Sequence, residues 1–458
     1  MTLRRATLSY NARESGEQRE NILAKRHHLV RGSWESILGR LEELVLANSG
    51  EDEFQEIFKL LLAKVYAESH HQSEGLFATA KTPEQTARNI DDLLGLAARQ
   101  WKGVLEDAPT MRLRPDHIAV CVEAIEHVGL LDSNLEVLDA LFEDLMSKSS
   151  KGAKGQYFTP RYVVDCCVKL VDPKPSETVM DPACGSAGFL IHTLTYVKEQ
   201  NPSLDLKEYA RSRVWGADFD PRAIQVARAL MLVVGDGHSN LLRINSLLTP
   251  TAAPDLFDST PTAMNEPTLE DLLRTRWSSF SGFDVIMTNP PFAGEVREPE
   301  LLGRYQLARK SGRTERDILF LERCLSLLRP GGRLAIVLPH NKFASSVWAY
   351  ARQWLIQRAQ IVAVLGLGRY TFLPHTSQKA AILFLRKRDH IERSPDKEPI
   401  LFLLSERDGK NSKGEIIPRG GVAFDAPAWV RADHDLSEVV PVFSEFIEAN
   451  GIEWATHG

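Results

Sequence analysis

The chain lacks the features that would place it in several common classes. Its five cysteines (Cys121, Cys166, Cys167, Cys184 and Cys324) include no C-x-x-C pair, which removes zinc-site and thioredoxin-type readings. Their odd number and scatter suit a reducing cytoplasm rather than a disulfide framework. No apolar run is long enough to cross a bilayer. The opening MTLRRATLSYNARESGEQRE has no apolar signal core, so a cytoplasmic protein is expected. Positive charge is not in excess: 55 Lys and Arg stand against 61 Asp and Glu, for a formal net charge of -6 and a pI near 6.2. A protein that neutralised many phosphates unaided would more often be basic. If the substrate is nucleic acid, a local basic face or a partner must supply much of the grip. There is also no Walker lysine loop, no helicase or nuclease signature and no metal-ligand spacing.

What is present is ordinary globular material. The chain has 458 residues, 43% hydrophobic and 25% charged, enough for two or three domains with an ample core. Residues 1–30 are charged and aperiodic and read as a flexible arm. Residues 31–148 carry helical periodicity. In EFQEIFKLLLAKVYAES, for example, Phe54, Ile57, Phe58, Leu61 and Val65 share one face, predicting a helical N-terminal domain with those residues in its core. MSKSSKGAKGQYFTP then breaks the pattern as a linker.

Over 149–390 short apolar runs alternate with helical stretches. ETVMDPA, RVWGADFD, LLRIN, FDVIMTNP, GRLAIVLP, IVAVLGLG and AAILFLRK are the strand candidates, which predicts a doubly wound α/β sheet. Residues 391–458 read as a hairpin around the Asn/Gly/Lys-rich turn of PILFLLSERDGKNSKGEIIPRGG, followed by a closing helix.

In a doubly wound sheet, ligands sit beyond the carboxyl ends of the strands. DPACGSAGFL fits that position as strand, glycine turn and helix start. Gly185 and Gly188 allow tight turns and close backbone approach, and Ala183, Ser186 and Ala187 complete the candidate cofactor loop. Asp181 is placed to accept from the ammonium of an amino-acid-like ligand. The loop lacks the G-x-G-x-x-G order, which disfavours a phosphate cradle. At the next strand end, GADFDP offers Asp218 for ribose hydroxyls, while Asp220, just before Pro221, reads equally as a helix cap. Upstream, GQYFTPR presents the aromatic surfaces of Tyr157 and Phe158 and the polar tips of Gln156 and Thr159. Pro160 and Arg161 close that candidate set, which would fold over the amino-acid end of a cofactor.

Asn289-Pro290-Pro291-Phe292 directly follows the strand FDVIMT. An aromatic amine is a poor nucleophile because its lone pair delocalises into the ring. The Asn289 amide oxygen and the Pro290 carbonyl can accept its two N–H bonds and favour a tetrahedral nitrogen. Two prolines stiffen those acceptors, and Phe292 offers a face for stacking. Methyl transfer by in-line displacement needs mainly alignment and no metal. In isolation, N-P-P-F is also a proline-rich turn. RYQLARKSGRTER, just downstream, carries Arg304, Arg309, Lys310, Arg313 and Arg316, either a phosphate-contacting loop or a solvated one.

The order GQYFTPR, DPACGSAGFL, GADFDP, NPPF, LLRPGGRLAIVLP and TFLPHTSQKAAILFL resembles the modification (methyltransferase) subunit of type I restriction-modification systems, over roughly residues 30–390. The resemblance implies an S-adenosylmethionine-dependent methyltransferase domain that methylates N6 of adenine in double-stranded DNA. It also implies a separate specificity subunit that reads the sequence and, as a further candidate partner, a restriction subunit. That family commonly has an acidic residue at the third strand end. RINSLL places Asn245 there, which can still meet an adenine edge with less acceptor strength. After Arg388 no segment long enough to read DNA is expected. Two other readings stay open: an amino-methyltransferase of protein glutamine or RNA, and a non-catalytic DNA-binding assembly subunit.

Overall fold

A computed structural model of the chain describes residues 50–105, 108–130, 158–234, 240–249, 268–292, 294–309, 311–393, 398–422 and 426–455, with single residues at 39–43 and 138–146. The predicted arm, residues 147–157 of the linker with Gln156 and Tyr157, and Lys310 lie outside these residues.

The N-terminal part is helical where its periodicity predicts. Helix Glu53–Ser69 begins where the Asp52 carboxylate accepts from the backbone N–H of Gln55, and it buries Phe54, Ile57, Phe58, Leu61 and Val65. Helix Pro83–Gln100 is capped in the same way by Thr82, and helix Pro115–Ile125 follows. This bundle packs on helix Pro221–Val234. Arg222 pairs with Asp52 at 2.7 Å, and Arg228 donates to the Gly103 carbonyl at 2.6 Å. Leu61 and Ile90 of the bundle belong to the same apolar cluster as Val285 and Val337 of the sheet.

The sheet strands are β1 (Val179–Asp181), β2 (Val214–Asp218), β3 (Leu241–Arg243), β4 (Phe283–Thr288), β7 (Leu328–Pro339), β8 (Ala359–Gly366), β9 (Ala380–Lys387) and β10 (Leu401–Leu404). A separate antiparallel pair joins β5 (Glu295–Val296) to β6 (Thr314–Glu315). The eight strands run in the order β10-β8-β9-β7-β4-β1-β2-β3, and only β9 is antiparallel to its neighbours. Helices cover both faces, so β1 and most of β4 are buried residue after residue rather than alternately. All seven strand candidates are strands.

The C-terminal segment departs from the expected hairpin. LFLL is β10, parallel to β8 at the sheet edge. The Asn/Gly/Lys stretch makes only a tight turn closed by a bridge between Lys410 and Ile416. A hydrophobic tetrapeptide beside an open sheet edge gains more by extending that sheet than by pairing with a polar partner. The closing helix, Leu436–Ala449, forms as expected and packs against helix Arg161–Val171. No helix among the described residues is long and apolar enough to cross a membrane.

Candidate active site at the switch point of the sheet

Between β1 and β4 the strand order reverses. From β1 the chain proceeds outward through β2 and β3, and from β4 it proceeds the other way to β7. The loops leaving β1 and β4 diverge here, which opens a crevice at the strand ends. The first is the DPACGSAG turn and the second is NPPF. A cavity of about 640 Å³ lies at this crevice, lined by both loops and by the ends of β2 and β3. A pocket of about 50 Å³ adjoins it, sharing Phe158, Ala183, Gly185 and Asn289.

The β1 loop is held by its neighbour. Cys184 N–H donates to the Ala217 carbonyl, and Gly185 N–H donates to an Asp218 carboxylate oxygen at 2.9 Å. Gly185 has φ +52 and faces open space, as a turn glycine should. Gly188 serves differently from its sequence reading, since the left-handed residue is Ala187 with φ +73. At Gly188 the Arg161 guanidinium approaches so closely that an added Cβ would push it aside. Strain at a non-glycine in this loop fits a segment whose shape serves a ligand.

Asp181 is fully buried and accepts from Ala183 N–H at 3.0 Å. Burial pushes its carboxyl up to about 7, with the Asp218 charge adding to the effect and the Ala183 N–H opposing it. Asp218 lines the large cavity. Its second oxygen accepts from Asp220 N–H, and burial raises its carboxyl as well. Asp220 accepts from the N–H groups of Arg222 and Ala223, which makes it the cap of helix Pro221–Val234. Between the two aspartates the ring of Phe219 stands 74% exposed on the cavity wall. A phenyl ring on a cavity wall offers a face on which a planar group can stack. The D-F-D spacing carried that signal, but sequence reasoning passed over it.

At the β3 end, the Asn245 side-chain oxygen accepts from Leu247 N–H at 3.1 Å, closing a local turn. Beside it Ser246 lines the cavity, and its buried hydroxyl has no hydrogen-bond partner among the described residues. No motif pointed to Ser246.

Asn289 sits where the two cavities meet. Its amide nitrogen donates to the Thr159 hydroxyl at 2.9 Å, while its buried amide oxygen has no hydrogen-bond partner among the described residues. Pro290 and Pro291 line the large cavity. Phe292 does not: its ring is buried edge-on against Phe372, at 5.7 Å and 71°. Phe158, Thr159 and Arg161 line the smaller pocket, and Pro160 is the cap of helix Arg161–Val171.

The arginines after NPPF are not a free comb. Arg304 donates to the Thr249 carbonyl, Arg309 lies 4.7 Å over the Trp348 ring, and Arg313 is 3.7 Å from Glu295. Arg316, further along the same stretch, lines the cavity.

The family model described as N-6 DNA Methylase matches residues 134–417. The methylase subunit of the type I restriction enzyme EcoKI from Escherichia coli K12 is 25% identical over 352 residues, which is 72% of this chain and 62% of that protein. The StySJI methylase subunit of Salmonella typhimurium LT2 is 28% identical over 252 residues, 54% and 44% of the two chains. The chain therefore spans between 44% and 62% of the length of these relatives. Among solved structures, the methyltransferase subunit of a type I restriction-modification system from Streptococcus thermophilus superposes with a TM-score of 0.57. It covers 91% of this chain and 94% of its own at 14% identity, a likeness of fold.

Proposed function

The chain belongs to the N-6 DNA methylase family, and from that premise we propose that it transfers a methyl group from S-adenosylmethionine to the exocyclic N6 amine of adenine in double-stranded DNA. The observation that carries this reading is the Asn289 amide oxygen. It is buried and has no hydrogen-bond partner among the described residues, on a residue that lines both a cofactor-sized crevice and a pocket lined by Asp181. An unsatisfied buried acceptor costs about 1–3 kcal/mol. Such a cost is tolerable at a site that waits for a donor, and an amine supplies one.

The residues present fit the cofactor. Asp181 would take an ammonium, Asp218 the ribose hydroxyls, the Phe219 ring the face of the purine, and Ser246 with Asn245 its edge. When bound, the cofactor supplies an electrophilic methyl on a sulfonium. Asn289 and the Pro290 carbonyl would accept the two N–H bonds of the target amine and keep its lone pair off the ring. The target base must leave the duplex to reach them, which costs a few kcal/mol. Stacking of Phe292 on that base would require its ring to leave Phe372.

We further propose that a specificity subunit reads the DNA sequence. The net charge of -6, and arginines already engaged within the protein, leave much of the phosphate contact to such a partner. The helical N-terminal region, the 149–390 catalytic domain and the C-terminal segment are proposed to act as one unit, since the bundle and the sheet share a core.

The test is Asn289→Ala, assayed with the specificity partner for transfer of labelled methyl to DNA. Transfer should be abolished while S-adenosylhomocysteine still binds, and an undiminished rate would remove Asn289 from catalysis. Label appearing on RNA or protein, and not on DNA, would redirect the substrate assignment.

A further inference from the structure

Asp139 belongs to the segment that precedes the linker, and none of its surface is exposed. One of its carboxylate oxygens lies 2.5 Å from Arg161 Nε, a close ion pair rather than an aligned hydrogen bond. The same oxygen is 3.7 Å from His192 Nε2, and His192 Nδ1 is 2.6 Å from Asp165. His192 lies on helix Gly188–Gln200, which starts at the cofactor turn. Burial alone would pull the imidazole down, but the Asp165 and Asp139 carboxylates outweigh it and raise it to about 10. Among the described residues the cluster thus sets Arg161 and His192 against Asp139 and Asp165, with only Asp165 partly exposed. Buried charges of this kind cost free energy and persist where geometry matters.

Arg161 is where the geometry matters. Arg161 lines the pocket of about 50 Å³ that Asp181 also lines, and its guanidinium occupies the space a Cβ on Gly188 would take. One fixed cation and one carboxylate thus face a small space. That is the complement of an α-amino acid, whose carboxylate and ammonium carry the opposite charges.

We propose that Asp139 is a positioning residue that holds the Arg161 guanidinium for the carboxylate of the cofactor's amino-acid end, so that the N-terminal helical region completes the cofactor site. The proposal rests on the methyltransferase reading above and adds to it. An arginine side chain carries several rotatable bonds, and a partner at Nε fixes it before the ligand arrives.

The experiment compares two probes on the full chain by calorimetry. S-adenosylhomocysteine carries the amino-acid end; 5′-methylthioadenosine shares the adenosine and thioether but lacks it. Asp139→Asn should weaken S-adenosylhomocysteine about tenfold or more, the worth of a charge-assisted contact, and leave methylthioadenosine within about twofold. Asp139→Glu should restore part of the loss. Unchanged S-adenosylhomocysteine affinity, or equal loss for both probes, would overturn the proposal, because a merely structural residue does not distinguish them. If Asp139→Asn fails to fold, Gly188→Ala provides the same readout: its added methyl displaces the guanidinium while Asp139 stays, and the same selective loss is expected. If the unaltered chain binds neither probe, the cofactor reading itself fails, an outcome distinct from either of these.

Discussion

The Asn289 side-chain nitrogen donates to the Thr159 hydroxyl at 2.9 Å across 130 residues of sequence. An amide has a donor end and an acceptor end, and binding one end fixes the other. Thr159 therefore fixes the orientation of the Asn289 amide, whose buried oxygen has no hydrogen-bond partner among the described residues. Thr159→Val keeps the shape and removes the hydroxyl. The single-turnover methylation rate should fall by about 10- to 100-fold, the cost of losing one orienting hydrogen bond at a reacting centre. Thr159→Ser should retain most of the rate, and an unaltered rate in the valine variant would contradict the orienting role.

Asp181 predicts a pH dependence with a defined sign. Its folded carboxyl titrates near 7 because burial penalises the charge, against an ordinary value of 3.8. Between those values the folded chain holds a proton that the unfolded chain has lost. Its contribution to stability is thus whole below about 4 and is lost as pH rises to about 7. In Asp181→Asn that component of the melting-temperature profile should vanish. An arriving ammonium favours the ionised carboxylate, so cofactor binding should strengthen as pH rises through 7 and release a proton below it. Calorimetry in buffers of different ionisation enthalpy reads that proton directly, and no release at pH 6 would exclude an ammonium at Asp181.

Much of this site was legible in the sequence because a parallel sheet puts every strand end on one side. Once ETVMDPA and FDVIMTNP read as strands, their following loops had to lie on the same rim, and Asp181, Gly185, Asp218 and Asn289 do. Periodicity says which face a residue takes but not which distant residue it meets. The pairs Thr159–Asn289 and Asp139–Arg161 were therefore invisible. Phe292 looked available for stacking because its partner, Phe372, lies in a different part of the chain. The parallel placement of β10 was missed for a related reason: the hairpin reading considered only a local partner, and the open edge of β8 was the better one.

Phe219 is the most exposed large hydrophobic residue described, at 74%, and it lies between the capping Asp220 and the loop-holding Asp218. If it stacks on the cofactor purine, Phe219→Ala should weaken S-adenosylhomocysteine and methylthioadenosine alike, by about 1–1.5 kcal/mol or roughly tenfold. Phe219→Trp should preserve both. Because the ring is exposed, the melting temperature without ligand should hardly change. A marked fall would show that the ring packs rather than binds.

Arg333 on β7 ties the sheet to helix Arg161–Val171. Its guanidinium meets both oxygens of Glu177 at 2.8 and 2.6 Å, and its Nε donates to the Val171 carbonyl at 3.0 Å. Val171 ends helix Arg161–Val171, whose next residue, Asp172, turns left-handed at φ +53. Arg333 thus neutralises a buried carboxylate and satisfies a carbonyl that a helix end leaves without a partner. Arg333→Met should cost about 3–5 kcal/mol in chemical denaturation, because it takes the guanidinium away from the buried Glu177 carboxylate. Adding Glu177→Leu should recover only part of that loss. The buried charge goes, but the Val171 carbonyl still lacks its donor, and Lys174 N–H, which donates to Glu177 at 2.9 Å, loses its acceptor. Full recovery in the double variant would show that Arg333 serves Glu177 alone and has no part in closing the helix.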